Sequence, residues 1–157
     1  MNITLKKAVF TDCAEIHKMQ EKAFNDLLEK YQDFDTNPAV ESLERVQCKF
    51  NQDFTDYFFI MTDNVKIGAV RIVKLSETAQ RISPIFILPE FQNKGYAQKA
   101  MAEIENYYSH IKEWQLDTTK QEKKLCHFYE KCGFIATGQE EDIKDGMTIA
   151  YYKKQIV

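Results

Sequence analysis

Apolar and polar residues alternate over Ile3-Thr4-Leu5-Lys6-Lys7, the period of a half-buried strand. Asp12 and, three positions on, Glu15 make a helix start, and Cys13, Ile16, Ala23, Phe24, Leu27, Leu28 and Tyr31 then recur at three- and four-residue spacings. That predicts a helix with one buried stripe and Lys18, Glu21, Lys22 and Asp26 off it. After a polar turn over 32–36, Asn37-Pro38 offers an N-cap and a first-turn proline, and Val40, Leu43, Val46 and Phe50 mark a second helix. Residues 57–61 and 65–75 predict a hairpin turned at Thr62-Asp63-Asn64. A polar link over 76–80 leads to 81–88, a continuous apolar run of the kind buried central strands carry. Pro89 closes it, because proline has no N–H to give a ladder.

Ala97, Ala100, Met101, Ile104, Tyr108 and Ile111 predict a helix over 96–111, followed by a short strand over 114–118. A last helix over 123–132 stops at Gly133, a natural left-handed C-cap, and two strands over 134–137 and 147–153 complete the chain. Exposed strand edges near the C-terminus lead us to expect a homodimer.

At 157 residues, with 44% hydrophobic and 13% aromatic content, the expectation is one domain over 1–157 around a substantial core. The net charge of −3 is interspersed rather than gathered into a basic stripe, which argues against a nucleic-acid partner. No stretch approaches the roughly 20 apolar residues that span a bilayer, nor does the N-terminus carry a signal-like run, so no membrane partner and a cytoplasmic location are expected. Cys13, Cys48, Cys126 and Cys132 form neither a Cys-x-x-Cys pair nor a zinc-ligand spacing with histidine, so no metal is expected and the thiols are read as reduced and mostly packed.

The most informative stretch is Gln92-Asn93-Lys94-Gly95-Tyr96-Ala97, set between the apolar run and the helix after it. A strand feeding a glycine turn that opens a helix leaves first-turn amides pointing at one spot with the positive helix end behind them, a natural phosphate site. By itself this is equally a plain helix start. Gln-x-x-Gly-x-Ala after Leu88-Pro89-Glu90-Phe91 resembles the acetyl-CoA signature of the GCN5-related N-acetyltransferases (GNAT), and the order of the flanking elements is similar over essentially the whole chain.

The resemblance implies an α/β (α+β) fold with a mixed, mostly antiparallel sheet of about seven strands. Four helices would flank it, and it would splay between the fourth and fifth strands. It implies acetyl-CoA as cosubstrate and no metal. The backbone of Ile85, Phe86 and Ile87 would pair with the pantetheine arm, and an amide near Ile87 would polarise the thioester. Gln92, Asn93, Lys94, Gly95, Tyr96, Ala97 and Gln98 would form the diphosphate cradle.

Tyr129 matches the family's tyrosine before a terminal Gly-Phe, here Gly133-Phe134, and so is the candidate acid for the departing thiolate. The other possibility is a core tyrosine whose hydroxyl reaches water. Asp117, where some members that acetylate protein N-termini carry a glutamate, is the candidate base for the amine, and equally a strand-end cap. His127 competes as base but points to another helix face, while His17 and His110 read as surface-helix histidines. Where many members have an asparagine seven residues before the tyrosine, this chain has Glu122, with Gln121 as the alternative contact. Cys126 and Cys132 raise an acetyl-cysteine route, but neither has an evident basic partner, and buried, inert thiols are the better expectation.

In this fold the acceptor meets the connection between the first two helices, here 28–38, and the loop between the last two strands, here 139–146; both are acidic. Glu29, Tyr31 and Phe34 are the candidate acceptor-binding residues, suited to a cationic small-molecule amine or a peptide amine. The expected function is acetyl transfer from acetyl-CoA to a primary amine; the alternative is an acyl-CoA-binding sensor or interaction module of the same fold.

Overall fold

The structure is a computed structural model and describes residues 2–157. Its elements run β1 (Ile3–Lys7), α1 (Cys13–Tyr31), α2 (Leu43–Phe50), β2 (Thr55–Thr62), β3 (Val65–Lys74) and β4 (Ala79–Ile87), then α3 (Tyr96–Tyr107), β5 (Glu113–Thr119), α4 (Lys123–Lys131), β6 (Ile135–Lys144) and β7 (Met147–Gln155). The strands make one seven-stranded sheet in the order β1-β2-β3-β4-β5-β7-β6. Every neighbouring pair is antiparallel except β4 and β5, which are parallel. This is the mixed, mostly antiparallel sheet with four flanking helices that the sequence led us to expect.

Alternation along β2 shows how the sheet is covered on both faces. Tyr57 and Phe59 join a core with Cys13, Ile16 and Met19 of α1 and Val46 of α2, whereas Phe58 and Ile60 face Ala100, Met101 and Ile104 of α3. Cys126 and Tyr129 of α4 belong to this second core, with Trp114 and Leu116 of β5 and Tyr152 of β7. Along α1 the fully buried stripe is Cys13, Ile16, Met19 and Gln20, while Ala23 and Phe24 pack only partly. Gln20 is in that stripe because its Nε2 donates to Pro38 O at 2.8 Å and to Glu41 Oε1 at 2.9 Å, tying the following link onto the helix.

Several boundaries differ from the sequence expectation for identifiable reasons. Asn37 does accept a first-turn hydrogen bond, from the Ala39 amide at 2.7 Å, but it caps only a 3-10 turn over Pro38–Val40. The second helix starts later, where the Ser42 hydroxyl accepts from the Arg45 amide at 3.1 Å. α3 ends at Tyr107, four residues early, since Tyr108 leaves helical geometry, packs on Phe58 and Trp114, and donates its hydroxyl to Asp56 at 2.7 Å. Most of 139–146, expected as a loop, is the second half of β6. Tyr151 and Thr148 of β7 hold it, donating their hydroxyls to Glu141 and Asp142.

β4 is only partly buried, in contrast to the continuous central strand expected. Its pairing with β3 slips where Val70 opposes Ile85 but Ile72 opposes Ile82, so Ser83 and Pro84 together face Arg71 alone. A bulge of this kind bends its strand and raises its twist. Arg71 secures it, donating from Nη1 to the Ser83 carbonyl at 3.0 Å and from Nη2 to Gln52 Oε1 at 3.1 Å. Further along, β3 and β4 come so close that a Cβ on Gly68 would stand 2.1 Å from the Phe86 carbonyl oxygen.

Only glycine fits there without moving β4. Gly68→Ala is therefore expected to destabilise the protein by about 3 kcal/mol or more, at the upper end for overpacking, and urea unfolding measures it.

Candidate active site

β4 and β5 are paired over only three positions, Ala79 with Glu113, Gln80 with Trp114 and Arg81 with Gln115. Beyond Arg81 they separate, and the open edge of β4 runs from Ile82 to Ile87. The Leu88 amide donates to Ile67 O at 2.8 Å, so Leu88 faces β3, and alternation turns the Ile87 and Ile85 backbone away from β3 toward the opening. Phe86 instead sends its carbonyl toward Gly68 and its ring into the α1 core, 5.7 Å from Phe24. The Ile87 carbonyl accepts from Gln92 Nε2 at 2.8 Å, which fastens the glycine turn to the end of the strand.

Gly95 is the N-cap of α3 with φ 79°, and Asn93 before it has φ 63°, so the turn is built from two left-handed residues. Among the described residues no side chain caps the start of α3, and its first turn carries no acidic residue. A Cβ on Gly95 would meet nothing within 4 Å, so the glycine answers a backbone need and the surface above it is open. Gln92, Asn93, Lys94, Gly95 and Gln98 are exposed, while Tyr96 and Ala97 lean on the α3 core. The structure thus brings the cradle residues together beside the open edge of β4.

Tyr129 and Asp117 sit on opposite sides of the opening. Tyr129 is packed with Leu116 and Tyr152, its ring in edge contact with Phe128 and Phe134 at 5.2 and 6.2 Å. Its hydroxyl finds no hydrogen-bond partner among the described residues, and burial, then the nearby Asp117 charge, push its pKa well above the ordinary phenol value. Asp117 follows Leu116 on β5 and so faces the other way. Its carboxylate is held by Arg81 of β4, and the Arg81 guanidinium lies 5.7 Å from the Tyr151 ring. Burial raises the Asp117 pKa; Arg81 draws it down in part and Glu141 pushes it further up, leaving it above the usual carboxylate value.

The acceptor-side candidates are spread along the end of α1. Tyr31 donates its hydroxyl to Glu122, the N-cap of α4, and Lys30 Nζ contacts the same oxygen at 2.6 Å. Burial would raise the Glu122 pKa, but hydrogen bonds from Lys30 and Tyr31 outweigh it and hold it below the usual range. Glu29 is exposed and accepts from Asn25 at 3.2 Å, and Phe34 is 61% exposed. Two members of the acidic rim are engaged: Asp33 is buried inside its own turn, accepting from the Asp35 and Thr36 amides, and Glu140 pairs with Lys120 at 2.7 Å.

A model of the Acetyltransferase (GNAT) family matches residues 21–134. The chain belongs to this family. Among curated GNAT relatives, the spermidine N(1)-acetyltransferase of Vibrio cholerae is 28% identical over 116 residues, 70% of this chain and 64% of that protein. The Escherichia coli K12 enzyme of the same name is 30% identical over 86 residues, 52% of this chain and 46% of that protein. The chain therefore spans between about half and just under two thirds of the curated relatives it matches. Among solved structures, the Vibrio cholerae spermidine N-acetyltransferase in complex with CoA and spermine superposes with TM-score 0.77 at 21% identity, covering 98% of this chain and 95% of that one. A Thermoplasma acidophilum PaiA N-acetyltransferase in complex with coenzyme A gives TM-score 0.75 at 16% identity, covering 99% of this chain and all 100% of that one.

Within the GNAT frame, this chain's departures have structural explanations. Glu122 is spent on joining α4 to α1, and Gln121 does not replace it: both ends of its amide are engaged by Thr148 of β7, at 2.9 and 3.3 Å. His127 is exposed and turned from Tyr129. His17 is more than a surface residue, since Nε2 lies 2.8 Å from Glu41 O and Nδ1 3.3 Å from Glu21. Cys13 and Cys126 are buried and Cys132 half-buried, whereas Cys48 is exposed. Two site features escaped sequence reasoning, the Arg81 contact across the opening and the Glu122 clasp. A signal existed for the first, because a lone arginine opening an apolar strand needs a partner.

The clasp carries a pH signature. A carboxylate whose folded pKa is depressed contributes stability above its unfolded pKa and loses it as pH falls through the folded value. Tyr31→Phe is expected to cost about 1–2 kcal/mol at pH 7, one charge-assisted hydrogen bond, with the deficit shrinking on acidification below the ordinary glutamate range. Urea unfolding of both proteins across pH 3–7 measures it, and a deficit independent of pH would disprove the assignment.

Proposed function

We propose that this chain transfers the acetyl group of acetyl-CoA to a primary amine. The observation that carries this is the opening between β4 and β5, flanked on one side by Tyr129 and on the other by Asp117. The cosubstrate, when bound, supplies an activated thioester and a good leaving group. The chain's residues fit it: an unpaired strand edge at Ile85–Ile87 for an amide-bearing arm, and beside it a left-handed turn at 93–95 leading into an uncapped helix for a diphosphate. Relatives named spermidine N(1)-acetyltransferase and neighbours solved with CoA support the same assignment.

Each residue has a defined task. The Ile87 amide, turned from β3, donates to the thioester oxygen, where negative charge develops during attack. Asp117, kept basic by burial and in place by Arg81, accepts the amine proton directly or through one water. Tyr129 stays protonated at neutral pH and gives its proton to the thiolate sulfur as the C–S bond breaks. Glu29, Tyr31 and Phe34 border the path of the amine, with Tyr31 fixed by Glu122.

Tyr129→Phe is expected to lower turnover about 100-fold or more, the contribution of a positioned general acid, and to leave acetyl-CoA affinity within about twofold. Free thiol release with a panel of amines and calorimetry with acetyl-CoA measure the two quantities. Full turnover in the variant would remove Tyr129 from the mechanism; acetyl-CoA uptake with no transfer to any amine would favour an acyl-CoA-binding module instead.

A further inference from the structure

The sheet contains one large buried cation that no carboxylate pairs with directly among the described residues. Arg71 of β3 is 9% exposed, its Nη1 and Nη2 are spent on neutral oxygens of Ser83 and Gln52, and its Nε is enclosed without a partner. Burial lowers its pKa, and Tyr57 and the charge of Glu41 offset that only in part. Nearby Tyr57 is likewise enclosed with an unpartnered hydroxyl. Burying a guanidinium without a direct ion pair is costly, and a buried, perturbed charge beside a cleft marks a candidate ligand site.

Ser83, on the bulge that Arg71 holds, lines a cleft of about 300 Å³ between the α1–α2 link and β4. Arg45 and Lys49, one turn apart on α2, stand on its wall. Of the carboxylates there, Glu41 is engaged by Lys49 and by Gln20, which leaves Asp35. Arg45 is exposed and makes no ion pair among the described residues. With Arg71 behind the wall, the side chains about the cleft carry three cations against two anions, Arg45, Lys49 and Arg71 against Glu41 and Asp35. This is the opposite balance to the acidic rim that the sequence suggests for a purely cationic acceptor.

We propose that the cleft receives an anionic group of the acceptor, so that the substrate class is an amine carrying a carboxylate several bonds away, with Arg45 as the contacting cation and Arg71 as the charge behind it. The inference rests on the acetyl-transfer proposal for its amine end. Pro84 at the cleft and Ile87 at the opening are three residues apart on β4, roughly 10 Å at the rise of a strand, so the two groups need a spacer between them.

The test compares 6-aminohexanoate with 1,6-diaminohexane, matched in length and differing at the far end. Wild-type protein should acetylate the aminocarboxylate with kcat/KM at least about tenfold higher, the worth of one charge-assisted contact. Arg45→Gln, at an exposed position, should erase most of that preference through KM with kcat little changed, while the rate with the diamine holds or rises. Arg71→Lys, which keeps the charge, should retain the preference, and Arg71→Met should lose it. Binding of hexanoate and of 1-aminohexane to the CoA-loaded protein, followed by NMR, reads the cleft without turnover. Hexanoate binding perturbing Arg45 and Ser83 supports the proposal even if no amine is acetylated, an outcome that would sink the transfer proposal alone. Equal or better use of the diamine, or hexanoate binding no tighter than aminohexane, overturns it.

Discussion

The early end of the contact between β4 and β5 is the constraint on which the site depends. Three paired positions hold the two strands together, and past Arg81 their backbones have no partner in each other. Unpaired strand edges are normally a liability because their amides and carbonyls remain to be satisfied. Here the edge lies within the sheet, and its open groups face the space between Tyr129 and Asp117. Binding by strand addition is the physical answer to such an edge.

What bends β4 away is local and traceable. Ser83 and Pro84 stand opposite one residue of β3, Pro84 has no N–H to pair, and Arg71 ties the bulged carbonyl back. On the other side of the opening β5 is held by β7, which pairs with it in unbroken register along all seven of its residues, from Glu113 to Thr119. One strand bends, its neighbour is held, and a gap results. Gly68 matters for the same reason, since it lets β3 follow β4 closely where the strand approaches the opening.

The electrostatics are arranged around this gap. Arg81 reaches from the last paired position of β4 to Asp117, two residues beyond its own partner Gln115, so the ion pair straddles the point of divergence. Asp117 in turn raises the proton affinity of Tyr129 across the sheet. The candidate acid and base are thus coupled through space although they belong to opposite faces and different elements. The α1 and α4 ends, by contrast, are joined directly by Glu122, at the position where many family members have an asparagine.

Much of this was written into the chain locally. Period-two alternation located β1, three- and four-residue spacing located α1, Gly133 marked the end of α4, and the glycine turn at Gly95 marked the start of α3, because each depends on neighbours a few residues away. The end of α3 at Tyr107, the late start of α2 and the extension of β6 through Lys144 were not legible, since partners distant in sequence decide them: Asp56 for Tyr108, Gln20 for the link, and β7 for β6. The site divides in the same way. Tyr129, Asp117 and the cradle at 92–98 were nameable as candidates from a motif and a family resemblance, whereas the Arg81–Asp117 pair, the Glu122 clasp and the buried charge of Arg71 exist only once the sheet is assembled. Residue type and short spacing are properties of a sequence, but which charges meet, and which are buried without a partner, is settled by packing.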